Sequence, residues 1–172
     1  MEELVLIQYY QKDSQPMKSI SALSYEEAEA LAKKLITQSD CRAHRRFGEG
    51  FKEYYMERCK AESWLYQEFV ALGGKPQTRY PLYFVLQPNA IRENFGEYLE
   101  TKLLLKDIDE AEVSFTYGDS MANWYRKEPQ KPILKSALLT CIQECGGVDA
   151  FLETVKTCGY LEAQLWTNRF TK

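Results

Sequence analysis

Two stretches of the chain repeat apolar residues at the three- and four-residue spacing of a helix surface. In the first, apolar residues recur over 28–35 behind Ser24-Tyr-Glu-Glu27, a capping box whose serine and glutamate bond each other's backbone N–H groups. The second extends from Phe51 to Leu72 and is followed by Gly73-Gly74, which is typical of a helix C-terminus. We therefore expect a helix over about 24–37 and a long helix over 51–72.

Strands are expected where apolar and aromatic residues are contiguous or alternate with polar ones. Residues 113–117 and 160–166 alternate, whereas 4–10 and 80–86 are mostly apolar. The expected strands are residues 4–10, 80–86, 99–105, 113–117 and 160–166. Pro132 suits the first position of a helix that ends at Gly146-Gly147, and a short helix is expected over 149–157.

This mixture of elements predicts an α+β fold in a single domain. A mixed or antiparallel sheet of about five strands would have helices packed against it. The 172 residues suffice for one hydrophobic core. The loop at 73–78 is a possible hinge between a helical front half and a β-richer back half.

Composition narrows the class of protein. The chain is 45% hydrophobic with a net charge of −3, so we expect neither wholesale disorder nor nucleic-acid binding. No apolar run has the length of a membrane helix, so we expect no membrane association. Charge is uneven: residues 41–60 hold six Lys/Arg and three Glu, and residues 89–120 hold three Lys/Arg and eight Asp/Glu. Such asymmetry can steer a charged partner.

The cysteines and the start of the chain favour a cytoplasmic protein. Five cysteines at scattered spacing do not form a disulfide framework, and Met-Glu-Glu-Leu-Val has no signal-peptide form. Cys41-x-x-His44 does not match a paired C-x-x-C zinc site. The chain contains neither a Walker loop nor G-x-G-x-x-G. We expect no bound metal and no cofactor.

A charged pair interrupts the apolar face of the 51–72 helix. Arg58 and Glu62 are four residues apart near the middle of that face, so their side chains are neighbours. A charge placed there must be paired or must face a cavity. The pair is either a structural ion pair or part of a ligand cleft in which Arg58, beside Tyr54 and Tyr55, holds an anion.

The last strand carries a second group of polar residues. Glu162 and Gln164 share one face with Tyr160 and Trp166, because side chains alternate along a strand. That face is either solvated or the floor of a ligand cleft, with Glu162 as the catalytic base. Ser114 and Thr116 share a face of the preceding strand in the same way and could line the same cleft.

A basic segment offers a different kind of contact. Arg42, Arg45 and Arg46 lie close together with His44. They are either a solvated helix face or an anion contact, because guanidinium groups match phosphate oxygens.

Three spots along the chain resemble the ADP-ribosyltransferases. Arg79 at a strand start, Ser114-Phe-Thr116 on a later strand and Glu162 on the final strand follow that family's order of arginine, serine/threonine and glutamate. The resemblance implies that these groups bind NAD and stabilise an oxocarbenium ion. It spans about 85 residues, and the chain departs from the pattern at Tyr160, where the family has an acidic or amide residue.

Two functions follow from these observations. The leading hypothesis is a non-enzymatic binding or regulatory module that holds a protein partner through aromatic residues, which are favoured at interfaces. Its expected surface consists of Trp64, Trp124, Tyr125 and Trp166. The alternative is a small enzyme or ligand-binding domain for a nucleotide-like anion. Its expected ligand-binding residues are Arg58, Glu62, Arg79, Ser114, Thr116 and Gln164, with Glu162 as the catalytic group. The oligomeric state stays open.

Overall fold

The structure is a computed structural model that describes residues 3–11, 16–38, 47–87 and 98–171. The described helices are α1 (Tyr25–Gln38), α2 (Phe51–Ala71), α3 (Ser120–Trp124), α4 (Lys135–Glu144) and α5 (Val148–Val155). The described strands are β1 (Val5–Gln11), β2 (Leu82–Leu86), β3 (Tyr98–Leu104), β4 (Val113–Tyr117), β5 (Ile133–Leu134) and β6 (Leu161–Leu165).

Helix α1 begins at the expected capping box. The Glu27 carboxylate accepts from the backbone N–H of Ser24 at 2.9 Å, and the Ser24 hydroxyl accepts from the N–H of Glu27 at 3.3 Å. This reciprocal pair satisfies two N–H groups that a helix start otherwise leaves free. The box is local in sequence, so its prediction needed no tertiary information, and it is confirmed.

The described strands form one antiparallel sheet in the order β3-β1-β2-β6-β4-β5. The predicted α+β class in one domain is therefore confirmed, with six strands in place of about five. Strand β6 lies between β2 and β4 and pairs with both. The last strand of the described chain is thus an interior strand of the sheet.

Both faces of the sheet are covered by helices. On one face, Val113 and Phe115 of β4 and Leu161 of β6 pack in one apolar cluster with α4 and α5. On the other face, Trp166 at the end of β6 packs against Leu65 and Phe69 of α2. Helix α1 in turn packs on α2 through Ala28, Ala32 and Phe51. The molecule is therefore layered, with a helix layer on either side of the sheet.

Pro132 does not begin a helix. Ile133 and Leu134 pair with Phe115 and Ser114 of β4, and α4 starts at Lys135. The helix prediction from Pro132 is wrong for these residues. A two-residue edge strand depends on partners 18 and 20 residues away in sequence, which local periodicity does not reveal.

The loop at 73–78 is bonded to distant parts of the chain. Lys75 N–H donates to the carbonyl of Ala111 at 2.8 Å, and the N–H groups of Gln77 and Thr78 donate to the carbonyl of Trp166 at 2.8 and 3.1 Å. Strand β1, from the front half, is also paired within the same sheet as the back-half strands. The hinge stays an untested prediction. No helix in the described part of the chain is long and apolar enough to cross a membrane.

Candidate functional site: a buried polar network and an exposed aromatic patch

Polar side chains fill the layer between α2 and the sheet. We call them the polar network: Arg58, Glu62, Tyr83, Ser114, Thr116, Glu162, Gln164 and Trp166. Strand pairing brings the strand members together, because Tyr83 lies opposite Gln164 and Thr116 lies opposite Glu162. Alternation then directs all of them to the face beneath α2.

The part of the network nearest α2 centres on the carboxylate of Glu62, which is fully buried. Its Oε1 atom accepts from Arg58 Nε at 2.9 Å and from the Tyr83 hydroxyl at 3.0 Å. Burial and the Glu62 charge raise the pKa of Tyr83 well above its usual value. The phenol therefore stays protonated and serves as a hydrogen-bond donor to Glu62.

Other groups hold the guanidinium of Arg58 in place. Its Nη1 donates to the Tyr54 hydroxyl at 2.9 Å, and its Nε is also 3.1 Å from the Ser21 hydroxyl. The guanidinium carbon lies 4.9 Å from the centre of the Tyr83 ring, within cation–π range. The side chain of Arg58 is only 16% exposed. These contacts fit the structural ion pair more closely than an anion-binding cleft.

The part of the network within the sheet is a chain of hydrogen bonds. Trp166 Nε1 donates to the Ser114 hydroxyl at 2.9 Å, and that hydroxyl donates to Gln164 Oε1 at 2.9 Å. Gln164 Nε2 donates to Thr116 Oγ1 at 2.8 Å and to Glu162 Oε1 at 3.0 Å. Each of these groups on the strands has a partner within the protein, whereas Oε2 of Glu62 is buried with no hydrogen-bond partner among the described residues.

Glu162 lies where this chain meets the start of α3. The backbone N–H of Ser120 donates to Glu162 Oε1 at 3.2 Å. Glu162 is 7% exposed. Burial and the charge of Asp119 raise the pKa of Glu162 to about 7, against the opposing effect of the Ser120 and Gln164 hydrogen bonds. Glu162 has the pKa of a general base but little access for a substrate.

Arg79 does not join the network. Its side chain is exposed, and the guanidinium carbon lies 5.7 Å from the centre of the neighbouring Tyr80 ring. The ADP-ribosyltransferase-like order thus corresponds in space to Ser114, Thr116 and Glu162 without the arginine. Arg42, His44, Arg45 and Arg46 lie outside the described residues.

Trp166 is not a surface residue. Its side chain is fully buried, stacked on Phe69 at 5.8 Å between ring centres and set edge-on to Tyr66 at 5.7 Å. The expectation that it belongs to a partner surface is wrong, because α2 covers the face of β6 on which it lies.

The other expected surface aromatics do lie together. We call Met56 and Trp64 of α2, Trp124 and Tyr125 the aromatic patch. The Trp64 and Trp124 rings are half-buried and 6.1 Å apart. Trp124 Nε1 donates to Glu57 Oε2 at 3.0 Å. Tyr125 and Met56 are 63% and 50% exposed, so both side chains present apolar area to solvent.

Local bonds hold the patch on a rigid support. The Asp119 carboxylate accepts from Ala122 N–H at 2.9 Å and begins α3. Two hydrogen bonds then join Asn123 and Gln130. The side-chain amide of Asn123 donates to the Gln130 carbonyl at 2.8 Å, and the backbone N–H of Gln130 donates to Asn123 Oδ1 at 2.9 Å. This pair closes the 124–130 loop and fixes the start of the segment that carries Tyr125.

Sequence reasoning missed Tyr83 as a member of the polar network and Met56 as part of the patch. The alternation of 80–86 could have placed Tyr83 on a common face with Val85, but only the strand order brings Glu62 and Gln164 to it. Among the described residues, no group of three or more His, Cys, Asp or Glu side chains could hold a metal ion. Comparison with protein-family models, curated proteins and solved structures finds no match to this chain.

Proposed function

We propose that this protein is a binding module that holds a segment of a partner protein on the aromatic patch. The observation that carries the proposal is that the patch combines a packed pair of tryptophans with a 63% exposed tyrosine and a 50% exposed methionine. Aromatic residues and methionine are enriched at protein interfaces, and tryptophan and tyrosine are among the residues that supply most of the binding energy there.

The surroundings of the patch favour a basic partner segment. Burial and the carboxylates of Glu57 and Glu53 raise the pKa of Tyr125, so these acids lie near its hydroxyl. A shallow depression beside Met56 is lined by Glu49, Glu53 and Glu57 together with Lys52. Lys60 is already bonded to Glu57 at 2.6 Å. A lysine or arginine of the partner would face carboxylates here, and the aromatic faces also attract cations.

The alternative, a nucleotide-like anion held by Arg58 and Arg79 near Glu162, has weaker support. Arg58 is already bonded to Glu62, Ser21 and Tyr54, and Arg79 is exposed beside the Tyr80 ring. We also propose that the protein acts in the cytoplasm, since the described cysteines are free thiols.

The test is selection of random twelve-residue peptides on the wild-type protein, followed by titration of the enriched peptides. We expect enriched peptides to carry Lys or Arg beside apolar residues. Tyr125→Ser should weaken their binding about five- to thirtyfold, since an exposed aromatic anchor is worth on the order of 1–2 kcal/mol. The indole N–H signals of Trp64 and Trp124 should shift on binding, and that of Trp166, which is buried against Ser114, should not.

Leu139→Ser is the matched control. Leu139 is a 41% exposed apolar residue on α4, which packs on the opposite face of the sheet. It should leave peptide binding unchanged. Peptides that bind Tyr125→Ser as tightly as wild type, or selection that enriches none, would overturn the proposal.

A further inference from the structure

Lys60 lies in the middle of the aromatic patch. On α2 it follows Met56 by four residues and precedes Trp64 by four, and helix residues at this spacing are neighbours on the surface. Two members of the patch therefore flank Lys60, one turn to either side. Its side chain is 58% exposed, so its ammonium is within reach of both solvent and a partner.

The ammonium of Lys60 is bonded to a carboxylate that is itself held by the patch. Lys60 Nζ donates to Glu57 Oε1 at 2.6 Å, and the hydrogen bond and charge of Glu57 raise the pKa of Lys60. The other oxygen of this carboxylate, Glu57 Oε2, accepts from Trp124 Nε1 at 3.0 Å. The indole thus keeps Glu57 beside the patch, and Lys60 neutralises the charge that Glu57 brings there.

The charges of both residues act on Tyr125. Burial and the carboxylates of Glu57 and Glu53 raise the pKa of Tyr125, and the ammonium of Lys60 acts on it in the opposite direction. The ammonium is therefore close to the Tyr125 hydroxyl as well as bonded to Glu57. A basic partner segment on the aromatic patch would bring its own lysine or arginine to this same carboxylate.

We propose that Lys60 is an internal occupant of the cation position of the aromatic patch, and that a lysine or arginine of the partner displaces it from Glu57 Oε1. This inference rests on the proposed function, because it concerns the same patch. It assigns Lys60 a role in specificity, since the chain's own cation competes with that of the partner.

The exchange is open to a partner because the ion pair is partly exposed. The side chain of Glu57 is 24% exposed and that of Lys60 is 58% exposed. Exposed pairs contribute little to stability, because water solvates both ions and the lysine stem loses rotamer freedom in holding the contact. A partner ammonium can therefore bond Glu57 Oε1 while Lys60 turns into solvent.

Displacement makes the benefit of a partner cation depend on Lys60. An apolar segment without a cation leaves the Lys60–Glu57 pair intact and gains only contacts with the side chains of the patch. A basic segment exchanges one ion pair for another, so its cation adds little affinity while Lys60 is present. Without the Lys60 ammonium, the same cation would gain a carboxylate that no other cation occupies.

Titration of wild type and Lys60→Met with the peptide acetyl-Leu-Lys-Leu-Lys-Leu-amide tests the displacement. Methionine keeps much of the apolar stem of lysine and removes the ammonium, and the indole N–H signal of Trp124 reports binding beside Glu57. We expect Lys60→Met to bind this peptide about two- to fivefold more tightly, which is the range expected for an exposed ion pair. Lys60→Arg, which keeps the charge, should not show this gain.

A second measurement needs no peptide. Because the Lys60 ammonium opposes the rise in the pKa of Tyr125, Lys60→Met should raise that pKa further, and NMR titration of the Tyr125 ring measures the change. An unchanged Tyr125 pKa would place Lys60 away from the patch and would overturn the inference.

Two controls isolate the effect of the charge. Lys33→Met removes the ammonium of a comparable ion pair on α1, 2.9 Å from Glu29, and should leave peptide affinity unchanged. The same peptide with glutamine in place of both lysines should bind Lys60→Met no more tightly than wild type.

Three results of the titration would overturn the inference: no tighter binding of the lysine peptide by Lys60→Met, an equal gain with the glutamine peptide, or no shift of the Trp124 signal in either protein. Failure of the proposed function is recognised separately, because peptides would then bind Tyr125→Ser as tightly as wild type, whichever residue stands at position 60.

Discussion

At the scale of single residues, the fold holds the carboxyl group of Glu162 away from water. The backbone N–H of Ser120 and the side-chain amide of Gln164 donate hydrogen bonds to it, and the negative charge that acts on it is that of Asp119. The carboxyl is therefore easier to protonate than an exposed one, because burial disfavours the charged form. The same burial separates it from any substrate, so its chemistry bears on stability more directly than on catalysis.

Glu162 should make the protein less stable as pH rises. Its pKa is about 7 in the folded state against an ordinary value of 4.5. Between these values the folded chain keeps a proton that the unfolded chain loses, so this group's stabilisation is complete below about 4.5 and is lost by the time pH exceeds 7. Glu162→Gln should remove this dependence, and its advantage over wild type in urea unfolding should grow on the order of 1 kcal/mol per pH unit in that window.

Glu27→Gln is the control whose effect on stability should depend on pH in the opposite direction. Bonds from the backbone and hydroxyl of Ser24 lower the pKa of Glu27, so its contribution is present at neutral pH and is lost as pH falls through the lowered value. A constant difference between Glu162→Gln and wild type from pH 4.5 to 8 would contradict a raised pKa at Glu162.

The sequence predicted which polar residues share a face, and it did not predict that these faces are buried. Alternation predicted that Ser114 and Thr116 share a face and that Glu162 and Gln164 share another, and helical spacing predicted the contact of Arg58 with Glu62. The local sequence pattern does not predict that β6 pairs with β4 or that α2 covers both strands, because these contacts join distant parts of the chain. A polar face on a strand is expected to be solvated, and here it is buried because its members bond one another.

At the scale of elements, the end of α2 depends on a close approach of two chain segments. Gly73 has a φ of 99°, in the left-handed region that favours glycine. Gly74 then donates its N–H to the Phe69 carbonyl at 2.9 Å. A Cβ at position 74 would lie 2.5 Å from the Phe69 ring, which is itself buried against Trp166.

Gly74→Ala should destabilise the protein by about 1–3 kcal/mol, because Phe69 must move within a packed cluster. Urea unfolding measures the change. Gly50→Ala is the matched control, since no atom lies within 4 Å of its added Cβ and its φ is −83°; we expect its stability to stay within about 1 kcal/mol of wild type. Equal effects of the two substitutions would exclude the predicted clash.

Elements with local signals were predicted well, and those defined by partners were not. The capping box predicted the start of α1, and the paired glycines predicted the end of α2. Both signals lie within a few residues of the helix end that they mark. Strand β5 has only two residues and exists through its pairing with β4. Alternation alone places Trp166 at the exposed end of a strand, and only the packing of α2 on that face shows that it is buried.

At the scale of the whole molecule, β6 should be the slowest part of the backbone to exchange with solvent. All five of its residues are buried and it is bonded to strands on both sides. Its amides should exchange only when the whole molecule unfolds, whereas those of the two-residue strand β5 exchange through smaller openings. Hydrogen exchange followed by NMR measures this order. Amides of Leu161–Leu165 that exchange as fast as those of β5 would contradict it.

The position of β6 also sets the order of events during synthesis. Strands β3, β1 and β2 can pair with one another once they have left the ribosome, and so can β4 and β5, but among the described strands only β6 joins these two groups. Until β6 emerges, β2 and β4 each present an open edge, of the kind that favours aggregation. Between the emergence of β5 and that of β6, the nascent chain therefore consists of two partial sheets that the same five residues later join.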